Sequence, residues 1–436
     1  MSAWLFDTAA MTPRSYWLRA AVFSVLAWLY WESMNAFQFH WWAIDGLPTY
    51  VAGKLWLAGQ TDAIYQSQLW VHDGASHAWE AMLWKQHIPN VGTTFVYHPL
   101  YLFLTLPFIA LLSVNQFIVL LLSVNALSVG LLVMEIFRLA GGGDERRKLA
   151  AALVCISFPG LYAAFLGQNV LPTLLFLLLG WRLLGTGRLV FGGVLLTLAV
   201  AMKIWVLPVA LLALAMHGRR SLFVGLCCMS GGLVLIPLMV DSVLLAAYFD
   251  IASRLTGITV YPYNNVSLRG GLARFDNPGW IAEAFTWAPK SVPFWIRLVE
   301  AMLISAVLVI AGALWRRRRP SVDFTFAGAL SLILLIPGVC WTHYMVFVLP
   351  AAVLLWLRTS GWRSWVGLAA LMFLVVPWHP IPRGVIPRVP FREFVEARPE
   401  LLAWGLFLPM LLVTIVGFSV LSVRRSGSDA SMECAQ

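Results

Sequence analysis

Long apolar runs alternate with short polar segments over almost the whole chain. Most runs hold roughly 15 to 25 residues, about the length that crosses the hydrocarbon core of a bilayer as a helix. The pattern therefore predicts an all-α, polytopic transmembrane bundle. The predicted spans are 16–37, 99–113, 116–138, 149–166, 170–185, 188–202, 204–217, 221–245, 295–315, 323–340, 343–357, 362–378 and 402–423.

Basic residues collect in the short segments between these runs, as in "ERRK" at 145–148 and "RRRR" at 316–319. Such clusters mark cytoplasmic loops. Arg14 before the first span and Arg424 after the last one place both ends on the cytoplasmic side, which requires an even number of crossings. Because 99–113 is short and begins with Pro99, we expect it to be re-entrant or partial, leaving about twelve crossings.

This topology leaves two long segments, 38–98 and 246–294, on the outer side of the membrane. Three short polar loops fall on the same side, at Gly167–Asn169, Lys203 and Trp341–Tyr344. We predict one integral membrane domain over 1–425 and a disordered cytoplasmic tail over 426–436. Any chemistry is expected on the outer face.

The composition agrees with a membrane protein. The 436 residues are 60% hydrophobic and only 11% charged, and 22 of them are Trp, which collects at membrane interfaces. The net charge of +10 comes from the cytoplasmic loops and does not indicate nucleic-acid binding. The five Cys have neither metal-ligand nor disulfide spacing, and no acidic pair is placed to bind a metal, so we predict no metal and no cofactor.

One carboxylate stands out on the outer side. Asp45 lies just beyond the first span, next to Trp41 and Trp42. Apolar surroundings raise the pKa of a carboxyl group by desolvation, and a raised pKa suits a general base. The alternative interpretation is an ordinary solvated loop residue.

Cations that suit an anionic ligand fall on the same face: Arg269, Arg274, Lys203 and His343. Arginine binds phosphate with two parallel hydrogen bonds, which favours a ligand site in "YPYNNVSLRGGLARF" at 261–275. The alternatives are a solvated surface helix for that stretch, a snorkelling side chain for Lys203 and a structural role for His343.

Amides and hydroxyls accompany these charges, and such groups suit sugar hydroxyls. Candidates for contacting a sugar or an acceptor are Asn264, Asn265, Ser267, Gln168, Asn169, Tyr97, His98 and Tyr344. The motif "GQN" at 167–169 is also compatible with a plain turn, and "YHPLY" at 97–101 with a plain helix start. In the latter case we expect Tyr97 and His98 to face outer water.

Taken together, one acid with several cations and amides on one face favours a reaction on an anionic lipid substrate over an ion pathway. A pump or transporter shows ionisable residues near the bilayer centre. Here Glu135, Asp241 and Glu300 lie near span ends.

Several motifs resemble those of glycosyltransferase family 87. Asp45 precedes Ala52-Gly53 by seven residues, followed by a Leu-rich stretch, Gly59 and Tyr65. The family's remaining motifs are similar to Tyr97-His98-Pro99-Leu100, Gly167-Gln168-Asn169, Lys203 with Pro208, Asn264–Leu268 with Gly270 and Arg274, and Trp341-Thr342-His343-Tyr344. His98, Val266 and Asn265 depart from the family pattern.

The resemblance implies a GT-C fold and transfer of a sugar, mannose first among hexoses and pentoses, from a polyprenyl-phosphate carrier. The acceptor would be a hydroxyl of a glycolipid or glycan, and the configuration would invert. Asp45 would be the general base, and the four cations would hold the donor phosphate. The expected location is the inner (plasma) membrane, with the site on its extracytoplasmic face. A flippase or transporter of a lipid-linked sugar and a non-catalytic scaffold are the alternatives.

Overall fold

We describe the protein from a computed structural model. The structure describes residues 12–38, 45–66, 76–88, 95–140, 144–260, 265–276, 290–375 and 399–424. The predicted tail at 426–436 and the candidate Asn264 lie outside the described residues, as do parts of the two long outer segments.

The first half of the described chain is helical. Its α-helices are α1 (Pro13–Gln38), α2 (Leu47–Leu57), α3 (His77–Lys85), α4 (Pro99–Leu111), α5 (Val114–Ala140), α6 (Asp144–Cys155), α7 (Phe158–Phe165), α8 (Val170–Gly185), α9 (Leu189–Met202) and α10 (Leu207–Met216). Short 3-10 helices lie at Thr61–Ala63 and Ile204–Val206.

The second half is helical apart from two short paired strands. Its α-helices are α11 (Arg219–Ser230), α12 (Ile236–Val240), α13 (Ser242–Leu255), α14 (Leu268–Asp276), α15 (Phe294–Arg318), α16 (Val322–Leu332), α17 (Leu349–Arg358), α18 (Trp362–Val375) and α19 (Pro399–Leu421). A π-helical turn at Gly231–Leu235 joins α11 to α12, and 3-10 helices lie at Ile333–Leu335 and Thr342–Val348. Strands β1 (Ile258–Thr259) and β2 (Lys290–Ser291) pair antiparallel.

The predicted all-α class is confirmed. Four helical stretches among the described residues are long and apolar enough to cross a membrane: Val114–Ala140, Glu145–Phe165, Arg219–Val240 and Phe294–Arg318. Eight further apolar helical stretches in the described part of the chain have 10 to 17 residues, among them Phe407–Leu421 within α19. About twelve crossings and the GT-C architecture stay predictions.

Two hydrophobic clusters position the polar residues discussed below. The larger one packs α7, α8 and α9 with the 3-10 helix at Thr342–Val348 and α17. The smaller one packs α2 and α3 against α4 through side chains such as Tyr50, Phe95 and Tyr97. The outer segment that begins at Asp45 therefore lies against the start of α4 and the end of α7, where loops predicted on the outer face meet.

Candidate active site

The "GQN" motif forms the turn that ends α7, and this turn is a Schellman motif. Gly167 has φ +66°, the left-handed conformation that favours glycine after a helix. Its N–H donates to the carbonyl of Ala164 (3.0 Å), and the N–H of Gln168 donates to the carbonyl of Ala163 (2.9 Å). These two bonds fix the backbone from which the Gln168 side chain projects.

The same turn holds Asp45. The backbone N–H groups of Asp45 and Gly46 both donate to the carbonyl of Leu166, at 2.8 and 3.2 Å. The Gln168 side chain then donates from Nε2 to Oδ2 of Asp45 at 2.7 Å. Taken as a whole residue, Asp45 is partly exposed.

Lys203 lies on the other side of the Gln168 amide. It is 6% exposed and follows the last residue of α9. Its Nζ donates to Oε1 of Gln168 at 3.0 Å and to the Tyr344 hydroxyl at 3.3 Å. It also lies 4.9 Å from the ring centres of both Tyr97 and Tyr344, within cation–π range. Among the described residues, Asp45 and Lys203 interact through this amide and form no direct ion pair.

Tyr97 completes this group from the start of α4. Its hydroxyl lies 3.4 Å from Oε1 of Gln168, and its carbonyl accepts a hydrogen bond from Tyr65 at 2.8 Å. The structure thus brings together five residues singled out from sequence. We call Asp45, Tyr97, Gln168, Lys203 and Tyr344 the Asp45 centre.

Burial shifts the pKa values of both charged groups in the Asp45 centre. It raises the pKa of Asp45 to about 6, while the Gln168 hydrogen bond and the Lys203 charge oppose that rise. It lowers the pKa of Lys203 to about 7, and the Asp45 charge opposes that fall. The rise that the aromatic surroundings of Asp45 predicted is thus present. Near neutral pH, the centre holds an ionised acid and a protonated amine that both lie close to their titration points.

The expectation that Tyr97 and His98 face outer water is wrong. They are only 7% and 2% exposed, because the outer segment that contains Tyr65 and Phe95 packs over the start of α4. His98 is the N-cap of α4, where Nδ1 accepts from the N–H of Leu100 at 3.2 Å. Burial lowers the pKa of His98 to about 4, so the imidazole is neutral.

Asn265 and Ser267 tie the second outer segment to the chain before the Trp-Thr-His-Tyr motif. Asn265 is fully buried; Nδ2 donates to the carbonyl of Val260 (2.7 Å), and Oδ1 accepts from the N–H of Cys340 (3.0 Å). Ser267 donates to the carbonyl of Gly338 at 2.9 Å. Both side chains are thus engaged with the protein, and the segment they fix lies beside the residues leading to Tyr344.

The two arginines of this segment make different contacts. Arg269 is partly buried and forms an ion pair with the buried Glu300 of α15, with Nε 2.8 Å from Oε2. Its Nη1 donates to the carbonyls of Thr256 (2.6 Å) and Ile258 (3.2 Å). We call Arg269 and Glu300 the Arg269 pair. Arg274 is 2% exposed and donates from Nη2 to the carbonyl of Asn265.

The last two candidates flank the centre. His343 is buried, with its ring 4.7 Å from that of Tyr344 and 6.0 Å from that of Tyr162. Asn169 is buried next to Gln168 and precedes α8 without capping it through its side chain. No group of three or more His, Cys, Asp or Glu in the described part of the chain is arranged to hold a metal ion.

Several contacting residues were not among the sequence candidates. Tyr101 lies one helical turn after Tyr97, with ring centres 5.0 Å apart, and its spacing in "YHPLY" was the available signal. Trp205 packs on Tyr344 with ring centres 5.1 Å apart. Glu300 was noted only as an acid near a span end, because nothing local to its sequence points to Arg269.

Comparison with known proteins identifies the family. The model of glycosyltransferase family 87 matches residues 95–337, which is more than half of the chain. This range contains Tyr97, Gln168 and Lys203, whereas Asp45 and Tyr344 lie outside it. No curated protein and no solved structure matches. The family match confirms the resemblance seen in the motifs, and the chain belongs to glycosyltransferase family 87 and is a glycosyltransferase of the membrane.

Proposed function

We propose that this glycosyltransferase moves a sugar, mannose first among hexoses and pentoses, from a polyprenyl-phosphate carrier to a hydroxyl of a glycolipid or glycan. Asp45 acts as the general base. One observation supports the proposal above all: a carboxylate with a raised pKa shares one amide with a buried lysine. A base and a cation held at a fixed separation suit a displacement reaction on a sugar phosphate. The base takes the proton of the acceptor hydroxyl, and the cation stabilises the negative charge that develops on the departing phosphate oxygen.

The proposed step is a single in-line displacement. The acceptor O–H gives its proton to the Asp45 carboxylate while its oxygen forms a bond to the anomeric carbon. The bond from that carbon to the phosphate oxygen breaks, and its electron pair leaves with the polyprenyl phosphate. The products are an inverted glycoside, the lipid phosphate and a protonated Asp45, which then returns its proton to water.

The pKa of Asp45 suits this role. A base with a pKa of about 6 is mostly ionised at neutral pH, yet binds a proton more strongly than an ordinary aspartate. General-base catalysis is most effective when the pKa lies near the working pH. The Leu166 carbonyl and Gln168 restrict the carboxylate to one position, which supports catalysis by orientation.

Lys203 is our first candidate for the donor phosphate. Its charge acts on Asp45 and is screened by little water, and a fixed positive charge in such surroundings stabilises a leaving anion strongly. The Arg269 charge is offset by Glu300, so its predicted phosphate role needs that pair to open. Phosphate roles for Arg274 and His343 stay predictions.

Sugar contacts are proposed for the polar groups around the centre. Asn169, Tyr97 and Tyr344 lie in or directly beside the Asp45 centre and are the first candidates for sugar hydroxyls. The predicted sugar contacts of Asn264, Asn265, Ser267 and His98 stay predictions. We propose that the site opens to the extracytoplasmic face of the inner membrane, a proposal supported by the basic clusters between the predicted spans.

A donor assay tests the proposal. The purified protein in lipid nanodiscs is supplied with membrane lipid extract as acceptor and with radiolabelled mannose on either polyprenyl phosphate or a nucleotide. We expect label transfer from the lipid-linked donor alone, with opposite anomeric configuration in donor and product. An Asp45→Asn preparation made in parallel controls for contaminating transferases. Transfer from the nucleotide sugar alone, or retention of configuration, would contradict the proposal. If only a lipid-linked pentose is transferred, the donor sugar is a pentose and not mannose.

A further inference from the structure

Gln168 bonds to both charged groups of the Asp45 centre. Its Nε2 donates to Asp45 at 2.7 Å, and its Oε1 accepts from Lys203 at 3.0 Å. We infer that Gln168 is a positioning residue that holds the base and the lysine at a fixed separation and tunes the proton affinity of Asp45. This inference rests on the proposed function and revises the sugar contact predicted for Gln168.

The chemistry of the partners determines which way the amide points. A protonated lysine only donates hydrogen bonds and an ionised aspartate only accepts them. The amide must therefore present Nε2 to Asp45 and Oε1 to Lys203, as the structure shows. A carboxylate or a hydrocarbon side chain at position 168 cannot satisfy both partners at once.

The backbone supports the same conclusion. Gln168 occupies the second position after Leu166, the C-cap of α7, where the Schellman bonds to Ala163 and Ala164 fix it. The carbonyl of Leu166 in the same turn binds the backbone of Asp45. One turn thus orients both the backbone and the carboxylate of the proposed base. The turn and the functional interpretation of "GQN" are therefore compatible, because the turn positions the amide.

The groups that act on Asp45 are few among the described residues. Lys203 favours its ionised form, and Tyr97 and Tyr344 lie near enough to interact with its charge. Gln168 is the neutral group that donates a hydrogen bond to the carboxylate. Removing that donor leaves the ionised form less stabilised, so the proton affinity of Asp45 should increase.

A titration that needs no substrate tests this inference. The infrared band of the protonated carboxyl group is followed against pH in the purified protein, and its absence in Asp45→Asn identifies the Asp45 contribution. In the natural sequence we expect a midpoint near 6. In Gln168→Ala we expect it to rise by about one pH unit, since a hydrogen bond to a charged group is worth about that much.

Two further variants keep the test decisive if Gln168→Ala fails to fold. Gln168→Asn keeps the amide but is one methylene shorter, so it should show a similar rise. Gln168→Glu keeps the shape and should give the largest rise, because two adjacent carboxylates share one proton. The exposed Gln60 supplies the matched control, and Gln60→Ala should leave the midpoint unchanged.

Transfer kinetics supply the second readout. The acid limb of kcat/KM should move upward in Gln168→Ala by the same amount as the infrared midpoint. An unchanged midpoint in folded Gln168 variants, or a loss of transfer that is equal at every pH, would overturn the positioning role. The proposed function fails separately, by persistent transfer in Asp45→Asn, and a shifted midpoint in Gln168→Ala would stand in that case.

Discussion

The Asp45 centre and the Arg269 pair each bring an acid and a base together in a buried place, but in different ways. In the Arg269 pair, Nε lies 2.8 Å from the Glu300 carboxylate, and the two side chains are 11% and 4% exposed. In the Asp45 centre, an amide separates the two charges, and Asp45 keeps partial exposure. Direct contact neutralises both partners, whereas separation leaves each able to act on a substrate.

The difference assigns distinct tasks to the two groups. Arg269 also donates to the carbonyls of Thr256, just before β1, and of Ile258, within β1, so the Arg269 pair fixes α14 and the β1 region against α15. A buried ion pair of this kind contributes little net stability, but losing one partner is costly. The Asp45 centre instead holds two ionisable groups, Asp45 with a pKa of about 6 and Lys203 with a pKa of about 7. Groups that transfer protons at neutral pH need pKa values in this range.

The largest effect should follow from breaking the Arg269 pair. We expect Glu300→Leu to reduce the free energy of unfolding by about 3–5 kcal/mol, because it leaves Arg269, whose side chain is only 11% exposed, without its counter-charge. Thermal unfolding in detergent measures the change. The double variant Arg269→Met, Glu300→Leu should recover much of it.

The same double variant sharpens the comparison. If it is folded and still transfers sugar, the Arg269 pair is an anchor, as its contacts indicate. A folded double variant that has lost transfer would instead support the phosphate role that the sequence predicted for Arg269.

Removing the cation of the Asp45 centre should reduce transfer more than stability. We expect Lys203→Met to lower kcat/KM by about 10²–10³, the range seen when one group that stabilises a transition-state charge is removed. Its melting temperature should fall less than that of Glu300→Leu, because Gln168 and Tyr344 lose a donor but a buried amine is replaced by an apolar chain of similar length. Lys54→Met, at a half-buried lysine of α2, is the matched control. A Lys203→Met enzyme with normal kcat/KM would exclude the phosphate role.

A smaller effect is expected where the backbone approaches Arg269. A Cβ atom on Gly338 would clash with the Arg269 guanidinium, so Gly338→Ala should destabilise the protein by about 1–3 kcal/mol. Gly312→Ala in α15 is the control, since a Cβ there meets nothing within 4 Å. Equal melting temperatures for the two variants would show that Arg269 is not held against Gly338.

The smallest expected effect is the pH dependence of the natural enzyme. Asp45 must be ionised and Lys203 protonated, so kcat/KM should be highest between about 6 and about 7. It should fall up to tenfold per pH unit, on the acid side as Asp45 gains a proton and on the alkaline side as Lys203 loses one. Lys203→Met should remove the alkaline limb and move the acid limb to higher pH, because the Lys203 charge favours the ionised form of Asp45. A profile with no acid limb in that region would contradict the base assignment.

The sequence predicted the centre better than it predicted the second outer segment. The centre is built from five separate stretches that the positive-inside pattern predicted on one face. The structure brings their side chains together: Asp45, Tyr97, Gln168, Lys203 and Tyr344. Helix starts were also predictable, because Pro99 suits the first turn of α4. The family match supports the motifs between 95 and 337.

Hydrogen-bond partners could not be predicted in the same way. Asn265 and Ser267 suited sugar hydroxyls by type, but they bond to Cys340 and Gly338, more than 70 residues away in the chain. Glu300 neutralises Arg269 from a different helix. Such partners depend on how distant elements pack, which neither periodicity nor charge spacing records. Burial of Tyr97 and His98 was missed for the same reason.

Single-turnover transfer by Asp45→Asn, measured beside donor binding, tests the central claim most directly. We predict that labelled polyprenyl-phosphate sugar still binds, while transfer to the acceptor falls by about 10²–10⁴, the usual contribution of a general base. Asp62→Asn, at an exposed aspartate of the same outer segment, should transfer normally. Transfer by Asp45→Asn at the rate of the natural sequence would show that another group removes the acceptor proton.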